Sequence, residues 1–142
     1  MSKRALGYIA SHPFWGDSYI PQRIQNNLVK TYAESKDLSL IWSIPEVSIL
    51  YRQTPALNNF LKSNKKKVEA VIFISYQMNH PSSLINSLNH IINQSIEVHF
   101  VIENCFIKNV NQLEKLTTEI TLSYLLSKEK KSPLIDLGYS PI

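Results

Sequence analysis

A chain of 142 residues buries roughly 70% of the surface its unfolded form would expose, so one hydrophobic core suffices and no disulfide or metal staple is needed. The lone Cys105 cannot form an internal disulfide, and the start Met1-Ser2-Lys3-Arg4 has no apolar leader, which together favour a reducing cytoplasm. Apolar runs such as Val71-Ile72-Phe73-Ile74 are of strand length, which excludes a membrane-spanning helix. The net charge of +4 rests largely on two lysine runs at expected element ends, Lys65-Lys66-Lys67 and Lys128 to Lys131.

In chain order, short apolar runs alternate with amphipathic stretches. Arg4 to Ala10 reads as a strand, followed by a polar, aromatic loop from Ser11 to Ile20. Pro21 then opens a helix at a position where its missing N–H costs nothing, with Ile24, Leu28, Val29 and Tyr32 expected on one face. Leu38 to Ile44 is a second strand, and the segment from Pro45 to Gln53 is open between a short helix and a loop. Thr54-Pro55 reads as N-cap and first helical residue, with Leu57, Phe60 and Leu61 inward.

Val68 to Ser75, with the unbroken β-branched and aromatic run Val71-Ile72-Phe73-Ile74 inside it, has the pattern of a central parallel strand buried on both faces. His80-Pro81-Ser82 starts a helix burying Leu84, Ile85, Leu88, Ile91 and Ile92, and Ile96 to Ile102 is a fourth strand. A last helix from about Val110 to Ser127 is expected to bury Leu113, Leu116, Ile120 and Leu125. The expected organisation is a single α/β domain over residues 1–130, with a tail over 131–142 that packs on the domain or on a second subunit.

Strands alternating with helices require right-handed crossovers and parallel pairing. The expected fold is therefore a doubly wound, four-stranded, mainly parallel sheet of order 2-1-3-4 with helices on both faces, flavodoxin-like or resolvase-like. In such a sheet ligands bind outside the carboxyl ends of the strands, at the switch point between strands one and three. Polar residues gather there: Ser11-His12 after strand one, Glu46 beyond strand two, Ser75-Tyr76-Gln77 after strand three and Glu103 after strand four.

The candidate catalytic residues are Ser11, Glu46, Gln77 and Glu103. Ser11 is either a nucleophile near the base His12 or a turn residue, and Glu46 with Glu103 either an acid/base pair or two surface carboxyls. Candidate substrate-binding residues are His12, Phe14, Gln22, Gln25, Asn26, Ser75 and Tyr76. Gln22, Gln25 and Asn26 fall in the first turns of a helix, whose free N–H groups suit a phosphate or a sugar hydroxyl. The loop Phe14 to Tyr19 either stacks on a ligand or covers the edge of the core. His99 reads as a satisfied core histidine, His90 as surface and Cys105 as a buried free thiol. No metal-ligand spacing, Walker loop or Gly-x-Gly-x-x-Gly occurs, so no metal or cofactor is expected.

The residues Gly7-Tyr8-Ile9-Ala10-Ser11, Phe14, Gly16, Pro21-Gln22, Gln25-Asn26, Ser75-Tyr76-Gln77 and His99-Phe100 to Glu103 resemble the sporadic carbohydrate cluster protein family over roughly the first 110 residues. The chain departs from that pattern at His12 and at Pro45-Glu46. The resemblance implies a bacterial surface-polysaccharide setting, with a sugar, sugar phosphate or nucleotide sugar as ligand. The alternative is a non-catalytic scaffold for a pathway enzyme. A remoter similarity is to the catalytic domain of serine recombinases, which shares the 2-1-3-4 winding and a tyrosine and serine on and after strand one. Strand exchange is not expected, because no arginine follows strand one or strand three and no DNA-binding domain is appended. With three arginines in all, Arg4, Arg23 and Arg52, nucleic acid is an unlikely partner, and a homodimer is the expected assembly.

Overall fold

The computed structural model describes residues 2–11, 13–15, 19–46, 54–63 and 67–129. The tail 131–142, His12, residues 16–18 of the Phe14–Tyr19 loop and the open segment after Glu46 lie outside the described residues.

The elements are β1 (Lys3–Ala10), α1 (Gln22–Ser35), β2 (Leu38–Glu46), α2 (Pro55–Ser63), β3 (Ala70–Phe73), α3 (Pro81–Asn93), β4 (Glu97–Phe100), β5 (Cys105–Ile107) and α4 (Val110–Glu129). They form one sheet of order β2-β1-β3-β4-β5. The first four strands pair in parallel in the expected order, and the fifth is an antiparallel addition at the edge. This strand follows β4 through a tight turn whose last residue, Asn104, has φ 51°, the left-handed conformation asparagine tolerates best among residues with a Cβ. Among the described residues no helix is long and apolar enough to cross a membrane.

Register explains how the core is shared between the two faces. Gly7, Ile72 and His99 lie side by side on β1, β3 and β4, as do their neighbours Tyr8, Phe73 and Phe100 on the opposite face. The second set forms a ladder of rings, Tyr8 edge-on to Phe73 at 4.9 Å and Phe73 tilted to Phe100 at 5.4 Å. Helix α1 covers the first face with Gln25, Val29, Tyr32 and Ala33, whereas α3 buries Leu84, Leu88, Ile91 and Ile92.

Two helix phases differ from expectation. Ile24 is largely exposed while Gln25 takes the inward place in α1, and Leu125 is exposed in α4, where Leu113, Leu116 and Ile120 are buried. Leu125 stands five residues past Ile120, about 140° round the helix, so it cannot continue that stripe.

Gly7 permits the close approach of α1 to β1. A Cβ there would collide with the Ser43 hydroxyl and lie 2.9 Å from Cγ1 of Val29, which is fully buried. Gly7→Ala is therefore expected to destabilise the fold by about 1–3 kcal/mol, the usual cost of overpacking, measured by urea denaturation.

Candidate functional site

The carboxyl ends of the strands carry two separate hydrogen-bond networks. In the first, Ser11 follows β1 with its side chain exposed, and its Oγ donates to the Glu46 main-chain carbonyl at 2.6 Å. The Ser11 N–H donates to the same oxygen at 3.2 Å. The Glu46 side chain is fully buried: Oε2 accepts from Tyr8 Oη at 2.6 Å and from Leu57 N–H at 3.2 Å, and Oε1 accepts from Ala56 N–H at 2.9 Å. It thus serves as the anchor for the first turn of α2, whose N–H groups have no partner within the helix. Burial first, and the charge of Glu46 second, push the Tyr8 phenol well above its ordinary value.

Asn79, also fully buried, reaches the same phenol through Nδ2 at 3.5 Å, and its main-chain carbonyl accepts from Trp15 Nε1 at 2.7 Å. Its Oδ1 has no hydrogen-bond partner. Gln25 holds the chain on the other side of Ser11. Its Oε1 accepts from Ala10 N–H at 2.8 Å, while Nε2 donates to the carbonyls of Ala10 at 2.8 Å and Ile20 at 2.7 Å.

The second network joins β3 to the turn after β4. Ser75 Oγ donates to Glu103 Oε2 at 2.6 Å and accepts from Gln77 N–H at 3.0 Å, which caps the short 3₁₀ turn Tyr76–Met78. Tyr76 N–H donates to Glu103 Oε1 at 3.3 Å. Burial pushes the Glu103 carboxyl above its ordinary value, against the lowering effect of these donors. Burial likewise pushes the Cys105 thiol up to about 11, so it carries little thiolate at neutral pH.

The edge is polar as expected, but most of its side chains face the protein. Glu46 and Glu103 belong to different networks, Glu46 with Tyr8 and α2, Glu103 with Ser75 and Tyr76. Gln25, Ser75 and Tyr76 are buried, and Phe14 and Trp15 are packed in the core, Trp15 against Tyr76 and Tyr124. These two aromatics cover the core edge. Ser11 and Asn26 are exposed, and Gln22, Gln77 and Glu103 are half-buried. Tyr8 and Asn79, which stand in the sequence pattern at the ends of strands one and three, are not among the candidate site residues. A tyrosine inside a central apolar strand needs a partner for its hydroxyl, and that requirement was the available signal. Among the described residues no group of three or more histidines, cysteines or acids could hold a metal ion.

No family model matches the sequence. No curated protein matches it either. Solved structures do. The N-terminal catalytic domain of TP901-1 integrase aligns with TM-score 0.65 and 12% identity, over 89% of this chain and 98% of that one. A resolvase family site-specific recombinase from Streptococcus pneumoniae aligns with TM-score 0.63 and 10% identity, over 96% and 95%. The chain shares the fold of these two structures.

This finding corrects the functional expectation. Surface-polysaccharide biosynthesis and a carbohydrate ligand rested on a motif resemblance that no family model or curated protein supports, whereas the similar folds are those of an integrase and a site-specific recombinase. The view of nucleic acid as an unlikely partner, drawn from the scarcity of arginine, is overturned by the same likeness.

Proposed function

We propose that this chain engages DNA at the carboxyl edge of its sheet, with Ser11 as the hydroxyl that meets a backbone phosphate. The observation that carries the reading is the placement of Ser11. It is an exposed serine directly after the first strand of a recombinase fold, its hydroxyl oriented by the Glu46 carbonyl at 2.6 Å. Recombination is chemistry on DNA, and the neighbours with this fold are named for it. The net charge of +4 favours a polyanion, and Arg23, in the first turn of α1, is exposed beside the same edge.

The role assigned is recognition. In a transfer step Ser11 Oγ would form a bond to phosphorus as a deoxyribose oxygen leaves, and the serine proton would need a base. A main-chain carbonyl orients that proton and cannot take it. Nor does an arginine stand between Ser11 and Ile20 or between Ser75 and His80 to neutralise charge on a phosphate.

Fluorescence anisotropy with a labelled duplex tests the reading. Binding is expected to weaken steeply between about 50 and about 200 mM salt, as counterion release requires. Ser11→Ala is expected to weaken it roughly fivefold, the worth of about 1 kcal/mol for one hydrogen bond. Arg23→Gln is expected to lower the slope of log K against log salt by about one. A protein that ignores duplex and single-stranded DNA alike at the lower salt would overturn the proposal.

A further inference from the structure

Away from the strand ends, α2 and α3 pack side by side and leave a cleft of about 390 Å³ between them. Two polar stripes at helical spacing line it, Asn58 and Lys62 on α2 facing Asn86, His90 and the C-cap Gln94 of α3. Leu61, largely buried, is the apolar member of the lining. The volume lies at the lower end of the range that small-molecule sites occupy.

Helices packed on a sheet ordinarily close such a gap with their own side chains. Here the facing groups do not bond to one another across the cleft. Among the described residues, the side chains of Lys62, Asn86 and His90 have neither a hydrogen bond nor an ion pair. Asn58 Oδ1 accepts from Thr54 Oγ1 at 3.5 Å, which leaves its NH2 group unengaged, and Gln94 Nε2 donates to the Leu61 carbonyl at 3.4 Å, which leaves Oε1 unengaged. All the polar lining residues are exposed, so water occupies these groups until a ligand replaces it.

The charge around the cleft has one sign. No acid is among the lining residues, and beyond α2 the chain runs on into Lys65-Lys66-Lys67. The carbonyls at the ends of the two helices would repel an anion, but they are occupied. Gln94 Nε2 covers Leu61, and the Gln94 N–H donates to His90 and Ile91. An anion in the cleft therefore meets an ammonium and several N–H donors with no carboxylate against it.

The amides narrow the class of anion. Asn86 keeps both a donor and an acceptor, and Gln94 Oε1 adds a second acceptor, the complement of a nucleobase edge. Adenine in particular pairs with both atoms of an asparagine or glutamine amide. The His90 ring and the methylenes of Lys62 supply apolar surface on which a base lies flat.

We propose that the α2–α3 cleft is a nucleotide site, with Lys62 and His90 on the phosphate and the amides of Asn86 and Gln94 on the base. The shared chemistry is a purine nucleotide, free in solution or carried in a single DNA strand. None of the residues belongs to the carboxyl edge, so the inference goes beyond the reading of Ser11 and does not rest on it.

NMR of the full chain tests it, because the side-chain NH2 signals of Asn58, Asn86 and Gln94 report on the cleft directly. Adenosine monophosphate is expected to move all three saturably at millimolar concentration, and adenosine or inorganic phosphate alone to bind more weakly. Lys62→Gln is expected to weaken the monophosphate roughly tenfold and to leave adenosine unchanged, the loss of one charge-assisted hydrogen bond. Asn86→Ala is expected to weaken both roughly fivefold, the worth of one neutral hydrogen bond. Both residues are exposed, so neither variant threatens the fold. Lys115→Gln, the same charge change on α4, is expected to leave the titration as it is. Amide signals that stay still in millimolar monophosphate overturn the proposal, as does a response that Lys62→Gln leaves intact or that Lys115→Gln weakens equally. Inorganic phosphate that binds as tightly as the monophosphate overturns the assignment of a nucleotide. A single-stranded deoxyadenosine oligomer separates the sources: if it moves the same signals the strand supplies the nucleotide, and if only the monophosphate does the ligand is free, either result supporting the site. The Ser11 amide, read in the same spectra, judges the carboxyl edge separately.

Discussion

Glu46→Leu is expected to lower the stability of the fold by about 3–5 kcal/mol, because it removes the acceptor from two buried donors and one half-buried one, each costing about 1–3 kcal/mol when left unpaired in the interior. Those donors are the Tyr8 hydroxyl and the Ala56 and Leu57 N–H groups, at 2.6, 2.9 and 3.2 Å. The last two open α2, so the loss falls on a helix start as well as on the β1–β2 pair. Leucine adds apolar surface, which offsets part of the cost but satisfies none of the donors. For a domain of this length each kcal/mol moves the midpoint by about 3–5 °C, so a fall of more than about 10 °C is expected in thermal unfolding followed by circular dichroism. Glu46→Gln should fall between the two, since its carbonyl oxygen in the place of Oε2 keeps the Tyr8 and Leu57 donors while its amide N–H faces the Ala56 N–H. A leucine variant within about 1 kcal/mol of the native protein would mean that the network contributes far less than its geometry implies.

What could be read in advance follows from which residues obey a period. Ala70 to Phe73 is buried at every position, so an unbroken apolar run announced the central strand, and α3 carries a regular stripe. The three-residue β5 has no period to detect, and its signal was a single asparagine in a left-handed turn. In α1 the inward position is a glutamine, which a search for apolar faces passes over in favour of Ile24. The reason is that Ala10, a strand end, has main-chain groups that only a polar side chain can satisfy.

The candidate site divides in the same way. Strand ends mark where polar residues gather, but whether Glu46 or Ser75 faces outward depends on partners contributed by other elements, α2 and the turn after β4. The likeness to solved folds lay deeper still. A motif resemblance pointed to sugars, while the fold likeness, at 10–12% identity, resides in strand order and helix placement that individual residues do not record.

Gln25→Glu changes one atom type and is expected to be among the most disruptive substitutions available, lowering stability by about 3–5 kcal/mol near neutral pH through an uncompensated buried charge. The side chain is fully buried, and its Nε2 donates to two carbonyls, Ala10 at 2.8 Å and Ile20 at 2.7 Å. An ionised glutamate would turn a second oxygen toward both carbonyls, so two hydrogen bonds become repulsions while only the bond from Ala10 N–H survives. Because burial and the two carbonyls favour the neutral acid, the folded-state pKa of the new group should rise above its unfolded value. The sign follows: the variant is most impaired above that raised value and recovers as pH falls through it, since a protonated carboxyl can donate once to Ala10 or Ile20. Urea denaturation at about pH 7.5 and about pH 5 should show the deficit shrinking in acid by at least about 1 kcal/mol, less than the full cost because one carbonyl stays unpaired. The native protein, with His99 buried and neutral, should move the opposite way over the same interval. Ser11, one residue beyond the grip of Gln25, makes the same variant a test of positioning. If Gln25 holds the end of β1 in place for DNA, the glutamate variant should bind a duplex more weakly than Ser11→Ala does, even at low denaturant-free temperatures where it remains folded. Equal affinities for the two would mean that the end of β1 keeps its course without that glutamine.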